Sequence, residues 1–433
     1  MFLLAKNSMI KKIENYFDRL FPIDRSITGK GYQKSLDIIS EIIPLKKINF
    51  PTNKKIFDWK IPKEWNVNEA YIKDETGNDV VNFNDNNLHL MGYSENFNSK
   101  ITFKKLKKHL YFIKKMPNAI PYITSYYKKR WGFCLTYNHF KKLNKNIKYE
   151  VKIDSLFKKG KLTIGEVLLK GKTTKEILIS SYLCHPSMAN NELSGPLTLA
   201  FLYDKLKKKK LNYSLRFVIC PETIGAIAYI NKQQNKLKNK CIGGYQLTCC
   251  ALNSKIVYKK SKKGNSLIDL AMAKTLKKYR YDSLDYFPLG SDERQYNSPG
   301  IDVPFGAFMR VKFDGYKEYH TSLDNKKIIN FSKFSENVKI LENVILNIDK
   351  AKFYKRIIPQ CEPFLSKRRL YSTLSKYTHY SKIDNIVEAI FWILAYTDGK
   401  TSDIEILNIS KLKSKYLYEA IKILLKKKLI KKV

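Results

Sequence analysis

The feature that most constrains the fold is an apolar run followed directly by a polar loop and a helical stretch. The apolar run covers residues 176–183, the loop 184–196 and the helical stretch 197–206. A short apolar run followed by a helix is typical of a buried strand in an α/β protein. Ligands of such proteins collect beyond the carboxyl ends of the strands, so this loop, with its histidine, asparagine and glutamate, is a candidate metal or catalytic site.

The same arrangement recurs further along the chain. Residues 216–220 have the pattern of a buried strand and end in Pro221-Glu222-Thr223, before a second helical stretch. Two later element ends carry Ser291-Asp292-Glu293-Arg294 and Tyr319-His320-Thr321. This alternation predicts an α/β fold with a mixed, mostly parallel sheet sandwiched by helices, and with histidine and carboxylates gathered at the strand ends.

The order of these motifs resembles that of the zinc aminopeptidases and of their relative glutaminyl cyclase. The chain is more similar still to a bacterial subgroup of aminopeptidase-like proteins of largely unassigned function. Blocks that span most of the chain carry that resemblance: Trp131 to Cys134, Cys184 to Pro196, Ser291 to Tyr296 and Glu318 to Ser322. The resemblance implies an aminopeptidase-like catalytic domain.

The resemblance also implies roles for individual residues. It makes His185 and His320 metal ligands, and it makes Glu222 the general base. Where the zinc aminopeptidases have an aspartate that bridges two zinc ions, this chain has Asn191, which is also a candidate metal ligand. Where a second acid follows the base, it has Thr223.

These two departures bear on the number of metal ions. A neutral amide such as that of Asn191 neutralises two close dications less well than a bridging carboxylate does. We therefore expect one zinc, with two as the alternative. Two histidines and one acid would hold that zinc and leave an open position for water. Asp292 is the predicted acidic ligand, and Glu192 and Glu293 are the alternatives for that position. Asp292 and Glu222 are the predicted catalytic residues.

Other residues near the motifs are candidates for binding substrate. A guanidinium pairs bidentately with carboxylates and oxyanions, and a phenol can donate to them. The candidates are Arg25, Glu192, Arg294 and Tyr319. Asn191 and Glu192 could instead cap the helix that begins near Ser194, and Asp292 could cap its own turn. Histidines outside the motifs are interpreted as structural: His89, His109, His139 and His379.

The net charge of +42 would ordinarily indicate a nucleic acid or another anionic partner. However, only 10 of the 81 basic residues are arginine, and lysine is spread along the chain with abundant asparagine, isoleucine and tyrosine. This composition is typical of an AT-rich genome, so nucleic acid is the less favoured partner. Seven scattered cysteines indicate reduced thiols in a cytoplasmic protein. The N-terminal stretch has no apolar core long enough for a signal peptide, and no apolar run in the sequence approaches the roughly 20 residues of a membrane span.

Changes of pattern along the chain predict three domains. Residues 1–58 and 118–352 form the aminopeptidase-like domain, and residues 59–117, with short β-like pieces, form an inserted β-rich domain. Residues 353–433 contain three short helices and a terminal strand, which predicts a winged helix. Its lysines could contact phosphates, although winged helices serve equally often in protein packing. No coiled-coil seam is visible, and a homo-oligomer is left open.

The leading hypothesis is a cytoplasmic, zinc-dependent aminopeptidase-like hydrolase that cleaves a peptide or amide bond. The alternative is a catalytically reduced relative that binds a peptide, a sugar-linked substrate or DNA without hydrolysis. Loss of carboxylates at Asn191 and Thr223 favours the alternative, whereas the retained His185, Glu222, Asp292 and His320 favour the hydrolase. Amide chemistry on a modified sugar or amino acid is a third hypothesis.

Overall fold

The computed structural model describes residues 2–370 and 385–433, so His379 lies outside the described residues. The helices are α1 (Phe2–Leu20), α2 (Lys30–Ser40), α3 (Phe103–Leu106), α4 (Tyr137–Lys142), α5 (Ser194–Leu206), α6 (Ile224–Lys240), α7 (Leu267–Leu276), α8 (Glu293–Tyr296), α9 (Phe331–Ile348), α10 (Asn385–Tyr396), α11 (Asp403–Ser410) and α12 (Ser414–Lys426). Within these described ranges, no helix is both long enough and apolar enough to cross a membrane.

An eight-stranded mixed sheet forms the centre of the larger unit, Met1–Lys262 with Lys278–Glu342. In hydrogen-bonded order its strands are β1 (Lys46–Pro51), β10 (Lys161–Leu169), β12 (Ser214–Cys220), β11 (Glu176–Tyr182), β13 (Cys241–Leu247), β16 (Phe305–Met309), β14 (Ile256–Lys259) and β15 (Tyr281–Leu284). Strands β12, β11, β13 and β16 run parallel to their neighbours within that group. The predicted mixed, mostly parallel sheet flanked by helices is confirmed.

The central strands explain why the apolar runs were informative. Every residue of β11 and of β12 is buried, which requires an apolar run instead of an alternating pattern. Helix α5 packs on β11 and its neighbours. Gly195 makes that packing possible, because a Cβ atom there would lie 2.3 Å from the carbonyl oxygen of Leu247.

A second, antiparallel sheet corresponds in part to the predicted insertion. Its strands, in order, are β5 (Asp79–Asn82), β4 (Glu64–Lys73), β9 (Lys148–Lys158) and β6 (Phe97–Thr102). Strand β9 lies outside the predicted limits 59–117, so the sheet extends beyond the segment singled out by composition. Two further strand pairs are β2 (Lys55–Ile56) with β3 (Trp59–Lys60), and β7 (Leu110–Tyr111) with β8 (Phe133–Cys134).

The smaller unit consists of Lys263–Lys277 and Asn343–Val433. Its sheet has the order β18 (Asp398–Ser402), β17 (Phe353–Arg356) and β19 (Ile430–Lys432). Apolar residues of α10, α11 and α12 form its core. Helix α11 begins with a capping box in which Ser402 and Glu405 bond reciprocally. The three predicted helices and the terminal strand are present as α10, α11, α12 and β19.

Candidate functional site

His185 lies in the loop that follows β11, and a single turn of π-helix, Ala189–Leu193, joins this loop to α5. The carboxylate of Asp324 holds that turn, because it accepts hydrogen bonds from the backbone N–H groups of Asn190 (2.7 Å) and Asn191 (2.9 Å). The hydroxyl of Tyr316 donates a third hydrogen bond to Asp324, at 2.7 Å. The loop that carries His185 is therefore anchored by the same segment that carries His320.

The imidazole of His185 is oriented by Glu192. Atom Nδ1 of His185 lies 2.7 Å from Oε2 of Glu192, and Oε1 of Glu192 accepts the backbone N–H groups of His185 (2.9 Å) and of Cys184. Burial opposes the charged form of His185, but the carboxylates of Glu192 and Glu222 together outweigh it and raise the pKa of the imidazole. Nε2 is left facing the cavity, 3.7 Å from Oε2 of Glu222.

Arg25 supports the same loop from behind. Its Nε donates to the carbonyl oxygen of His185 at 3.1 Å, Nη1 donates to the carbonyl oxygen of Leu20, and the side chain is buried. Glu192 is buried as well, with its oxygens directed at Cys184 and His185. The structure thus places these two predicted substrate-binding residues behind His185.

Glu222 is presented by a strained turn. Thr223 has φ 60° and ψ −74°, which is unusual for a β-branched residue, and the N–H of Ile224 donates to the carbonyl oxygen of Glu222 at 2.7 Å. The hydroxyl of Ser291 donates to Oε1 of Glu222 at 2.6 Å. Burial raises the pKa of Glu222, against the opposing effects of His185 and Ser291. Oε1 is thereby fixed, and Oε2 points toward His185.

Asp292 stabilises the turn at Thr223 through a backbone hydrogen bond. Its Oδ1 accepts the backbone N–H of Thr223 at 2.7 Å, and Oδ2 lies 3.8 Å from the thiol of Cys220. Burial, together with the charge of Glu222, raises the pKa of Asp292 well above its ordinary value. The neighbouring Glu293 forms a buried ion pair with Lys259 at 2.8 Å, so its carboxylate is directed to a structural partner.

His320 faces His185 across the cavity. The two ring centroids are 5.4 Å apart, and Tyr319 stacks on His320 with centroids 4.0 Å apart. The backbone N–H of Tyr122 donates to the carbonyl oxygen of His320 at 2.9 Å, which ties its loop to residues 121–127. Burial, and secondarily His185, lowers the pKa of His320 to about 3, so its imidazole is neutral at physiological pH.

A cavity of about 430 Å³ joins these groups. Of the predicted site residues, His185, Glu222 and His320 line it. Sequence reasoning missed several aromatic residues of the lining: Trp59, Tyr122, Tyr126 and Tyr127. The described lining does not include Asn191, Asp292, Arg294 or Tyr319. Asn191 is buried, and its Oδ1 accepts the hydroxyl of Tyr182 at 3.1 Å.

The chemistry of these donors fits one zinc better than two. Two imidazoles face each other, and that of His320 makes no hydrogen bond with the part of the chain that the structure describes, while Nε2 of His185 points into the cavity. Within that part, the side chains whose ligand atoms all lie within 4.8 Å of one another are those of Cys184, His185 and Glu192. This group is engaged internally, however, because the carboxylate of Glu192 bonds the backbone N–H groups of Cys184 and His185 and lies 2.7 Å from Nδ1 of His185.

The fold and this arrangement define an aminopeptidase-like α/β protein that also carries a winged helix. A family model described as a domain of unknown function, DUF4910, matches residues 14–351, and a winged helix-turn-helix model matches residues 352–432. This chain belongs to the DUF4910 family, so the predicted family is confirmed.

Relatives and solved structures agree with this assignment. A Clostridium acetobutylicum protein, provisionally named for polysaccharide biosynthesis with an aminopeptidase-like domain, is 42% identical over 397 residues, which are 91% of this chain and 90% of that protein. The crystal structure of a provisionally named peptidase from Clostridium acetobutylicum is 38% identical, with a TM-score of 0.80, and covers 100% of this chain and 98% of its own.

More distant structures share the fold. The zinc aminopeptidase BSAP of Bacillus subtilis is 14% identical with a TM-score of 0.56 over 78% of this chain and 94% of its own. A peptidase M28 precursor from Shewanella amazonensis is 12% identical with a TM-score of 0.52 over 80% of this chain and 96% of its own.

Proposed function

We propose that this protein is an amide hydrolase of the aminopeptidase-like type, in which Glu222 is the general base. The observation that carries the proposal is the pairing of Glu222 and His185 in the cavity. One oxygen of Glu222 is fixed by Ser291 at 2.6 Å, and the other lies 3.7 Å from Nε2 of His185. A base within reach of a reacting water, beside an oriented imidazole, is the geometry that metal-assisted amide hydrolysis needs.

His185 and His320 are the proposed ligands of a single zinc. Asp292, the acid expected from the sequence, accepts the N–H of Thr223 and is not in the described cavity lining, so it is proposed to position the turn that carries Glu222. Glu192 orients His185 as a carboxylate commonly orients a zinc-bound histidine. A bound zinc would polarise the amide carbonyl and make a coordinated water more acidic. One ion is favoured over two because Asn191 is a neutral amide engaged with Tyr182.

The chain's own residues account for the proton transfers. Glu222 would accept a proton from water at Oε2 while Ser291 holds Oε1 in place. Because burial raises the pKa of Glu222, this carboxylate is a stronger base than an exposed one. In the reaction the C–N bond breaks, the water oxygen joins the acyl carbon to give a carboxylate, and the proton leaves with the amine.

A second candidate function is binding without hydrolysis. Two observations favour it: position 191 holds a neutral amide, and position 223 holds Thr223, whose backbone N–H bonds Asp292. In this form of the proposal the ligand is a peptide, a sugar-linked molecule or DNA. The provisional name of the Clostridium relative, which refers to polysaccharide biosynthesis, supports a sugar-linked ligand over a peptide.

The cysteines support a cytoplasmic location. All seven are free, and Cys249 and Cys250 are adjacent and buried. Free thiols in this number are typical of a reducing compartment. A small peptide or amide is the proposed substrate, and nucleic acid remains the less favoured partner of the winged helix.

The test combines hydrolysis with metal analysis. Wild type and Glu222→Gln are assayed against a panel of aminoacyl and N-acyl amides, and the zinc content of both is measured. We expect wild-type hydrolysis to fall by about 10²- to 10⁴-fold in Glu222→Gln, because a general base contributes that much, with zinc content unchanged. Glu69→Gln, which removes an exposed acid paired with Lys152, is the control. Undiminished turnover in Glu222→Gln would exclude its role as base, and a wild type with neither zinc nor turnover would favour the binding function.

A further inference from the structure

The cavity has an aromatic end as well as a charged end. Trp59 and Tyr127 line the cavity with ring centroids 6.0 Å apart and an interplanar angle of 62°. They are also among the exposed large side chains of the protein, with 39% of Trp59 and 54% of Tyr127 accessible. Single exposed aromatic residues are ordinary on protein surfaces, but here two adjacent rings form the rim of the cavity that contains His185 and Glu222.

The two rings are held in place without being covered. Trp59 is fixed by the β2–β3 hairpin, in which Ile56 pairs with Trp59. The hydroxyl of Tyr127 donates to the carbonyl oxygen of Lys60 at 3.0 Å, so it is tied to the next residue of the same hairpin. The pair is a preformed aromatic platform, and binding would cost little side-chain entropy.

Phenol groups connect this platform with the charged end. Tyr122 and Tyr126 line the same cavity, and their hydroxyl oxygens are 3.0 Å apart. The ring of Tyr122 lies 4.8 Å from that of His185. A ligand of ordinary small-molecule size could therefore contact both ends of a cavity of about 430 Å³.

The exposure of the platform selects among ligand classes. An aliphatic side chain gains most from an enclosed apolar pocket, because the gain follows the apolar area removed from water. A platform that is half exposed, and is followed by hydroxyl groups, suits a ring with one apolar face and polar edges. A pyranose has this character: its C–H face can stack on an indole while its hydroxyl groups bond phenols and water.

We propose that Trp59 and Tyr127 bind the sugar ring of an N-acylated amino sugar, and that the amide of this ligand lies at Glu222. The placement of the amide rests on the proposed function, whereas the binding of the ring does not. The reaction is the hydrolysis already described: the C–N bond of the acylated amine breaks, water supplies the carboxylate oxygen, and the free amino sugar leaves with the proton.

The test measures binding separately from turnover. Saturation-transfer NMR and calorimetry with the full chain would compare the methyl glycoside of N-acetylglucosamine, methyl glucoside and leucine amide. The proteins are wild type, Glu222→Gln, Trp59→Ala, Trp59→Phe and Tyr127→Ala. Phe57→Ala is the matched control, because Phe57 is an exposed aromatic residue of the same hairpin that is not part of the described cavity lining.

We expect both glycosides to bind wild type and Phe57→Ala equally well, and Glu222→Gln allows binding of the acylated glycoside to be measured without turnover. Their affinity should fall at least about tenfold in Trp59→Ala and in Tyr127→Ala, which corresponds to about 1.4 kcal/mol, and Trp59→Phe should recover part of it. Sugar binding of this kind without hydrolysis would support the platform and refute the proposed function. Hydrolysis of leucine amide without sugar binding would support the proposed function and refute the platform. Equal affinity of Trp59→Ala and wild type for the glycosides would also refute the platform.

Discussion

The two sides of His185 differ in their use of polar residues. On the cavity side, Glu222 and His320 present a carboxylate and an imidazole to open space. On the opposite side lies a rear group, defined as Asp24, Arg25, Glu192 and Asp324, and the last three of these residues bond backbone groups around His185. Residues of the same chemical type near one motif therefore have two different roles: some face the cavity, and others position the residues that do.

The largest effect should follow from removing the histidines on the cavity side. We expect His185→Ala and His320→Ala each to lose nearly all bound zinc, because either change removes one of two proposed imidazole ligands. Elemental analysis of protein purified without chelators or a histidine tag measures this. His109→Ala is the control, since His109 stacks on Trp131 and bonds its carbonyl oxygen. Stoichiometric zinc in both variants would contradict the proposed ligands.

Asp24, in the rear group, should make the free energy of unfolding depend on pH. Burial raises the pKa of Asp24 to about 7, although Arg25 acts in the opposite direction. The folded state therefore binds a proton more tightly than the unfolded state, so this carboxyl lowers the free energy of unfolding as pH rises from about 4 to 7. We expect Asp24→Asn to remove about 3 to 4 kcal/mol of this pH dependence.

Chemical denaturation of wild type and Asp24→Asn at pH 4 and at pH 8 measures this difference. Between pH 4 and pH 8 the free energy of unfolding should fall further in wild type than in Asp24→Asn. Asp37→Asn is the control, because Asp37 is an exposed acid paired with Lys47. If the free energies of unfolding of wild type and Asp24→Asn change equally with pH, folding does not raise the pKa of Asp24.

A smaller loss of stability should come from Asp324, also in the rear group. Asp324→Asn leaves one carbonyl oxygen where two carboxylate oxygens accept hydrogen bonds from Asn190, Asn191 and Tyr316. We expect the free energy of unfolding to fall by about 2 to 3 kcal/mol, the usual cost of losing a buried bond to a charged group. Denaturant titration measures it. An unchanged midpoint would mean that the π-helical turn does not depend on this carboxylate.

The smallest effect should come from Ser291, which lies between the two sides. Ser291→Ala removes the donor to Oε1 of Glu222 and leaves the carboxylate in place. We expect turnover to fall about tenfold without loss of zinc, since such a bond contributes about 1.5 kcal/mol. Ser298→Ala, which removes a hydroxyl bonded to the carbonyl oxygen of Gln295 in the same segment, is the matched control. Equal turnover in both variants would exclude a positioning role for Ser291.

The fold could be predicted because its signals are local. The buried runs of β11 and β12 and the helices after them are continuous in the sequence. His185, Glu222 and His320 could be placed together for the same reason, since each follows a recognisable element end. Their order along the chain also matched a family pattern.

The rest of the site depends on side-chain direction and on distant segments. Glu192 was a reasonable ligand or substrate contact by residue type, but the π-helical turn directs it at Cys184 and His185. Trp59 and Tyr122 reach the cavity from the hairpin and from the loop at 121–127, far from the motifs in sequence. No spacing rule connects such segments before the fold is known.

The turn at Thr223 limits what an acidic side chain placed at position 223 could do. An acid introduced at position 223 would keep the positive-φ backbone that Thr223 already adopts, a conformation that costs about 1 to 3 kcal/mol in a residue with a Cβ. Its backbone N–H would still be bonded to Asp292. The present turn would therefore set the direction of a carboxylate added at this position alone, and a second metal ligand here would require a change in the backbone as well as in the side chain.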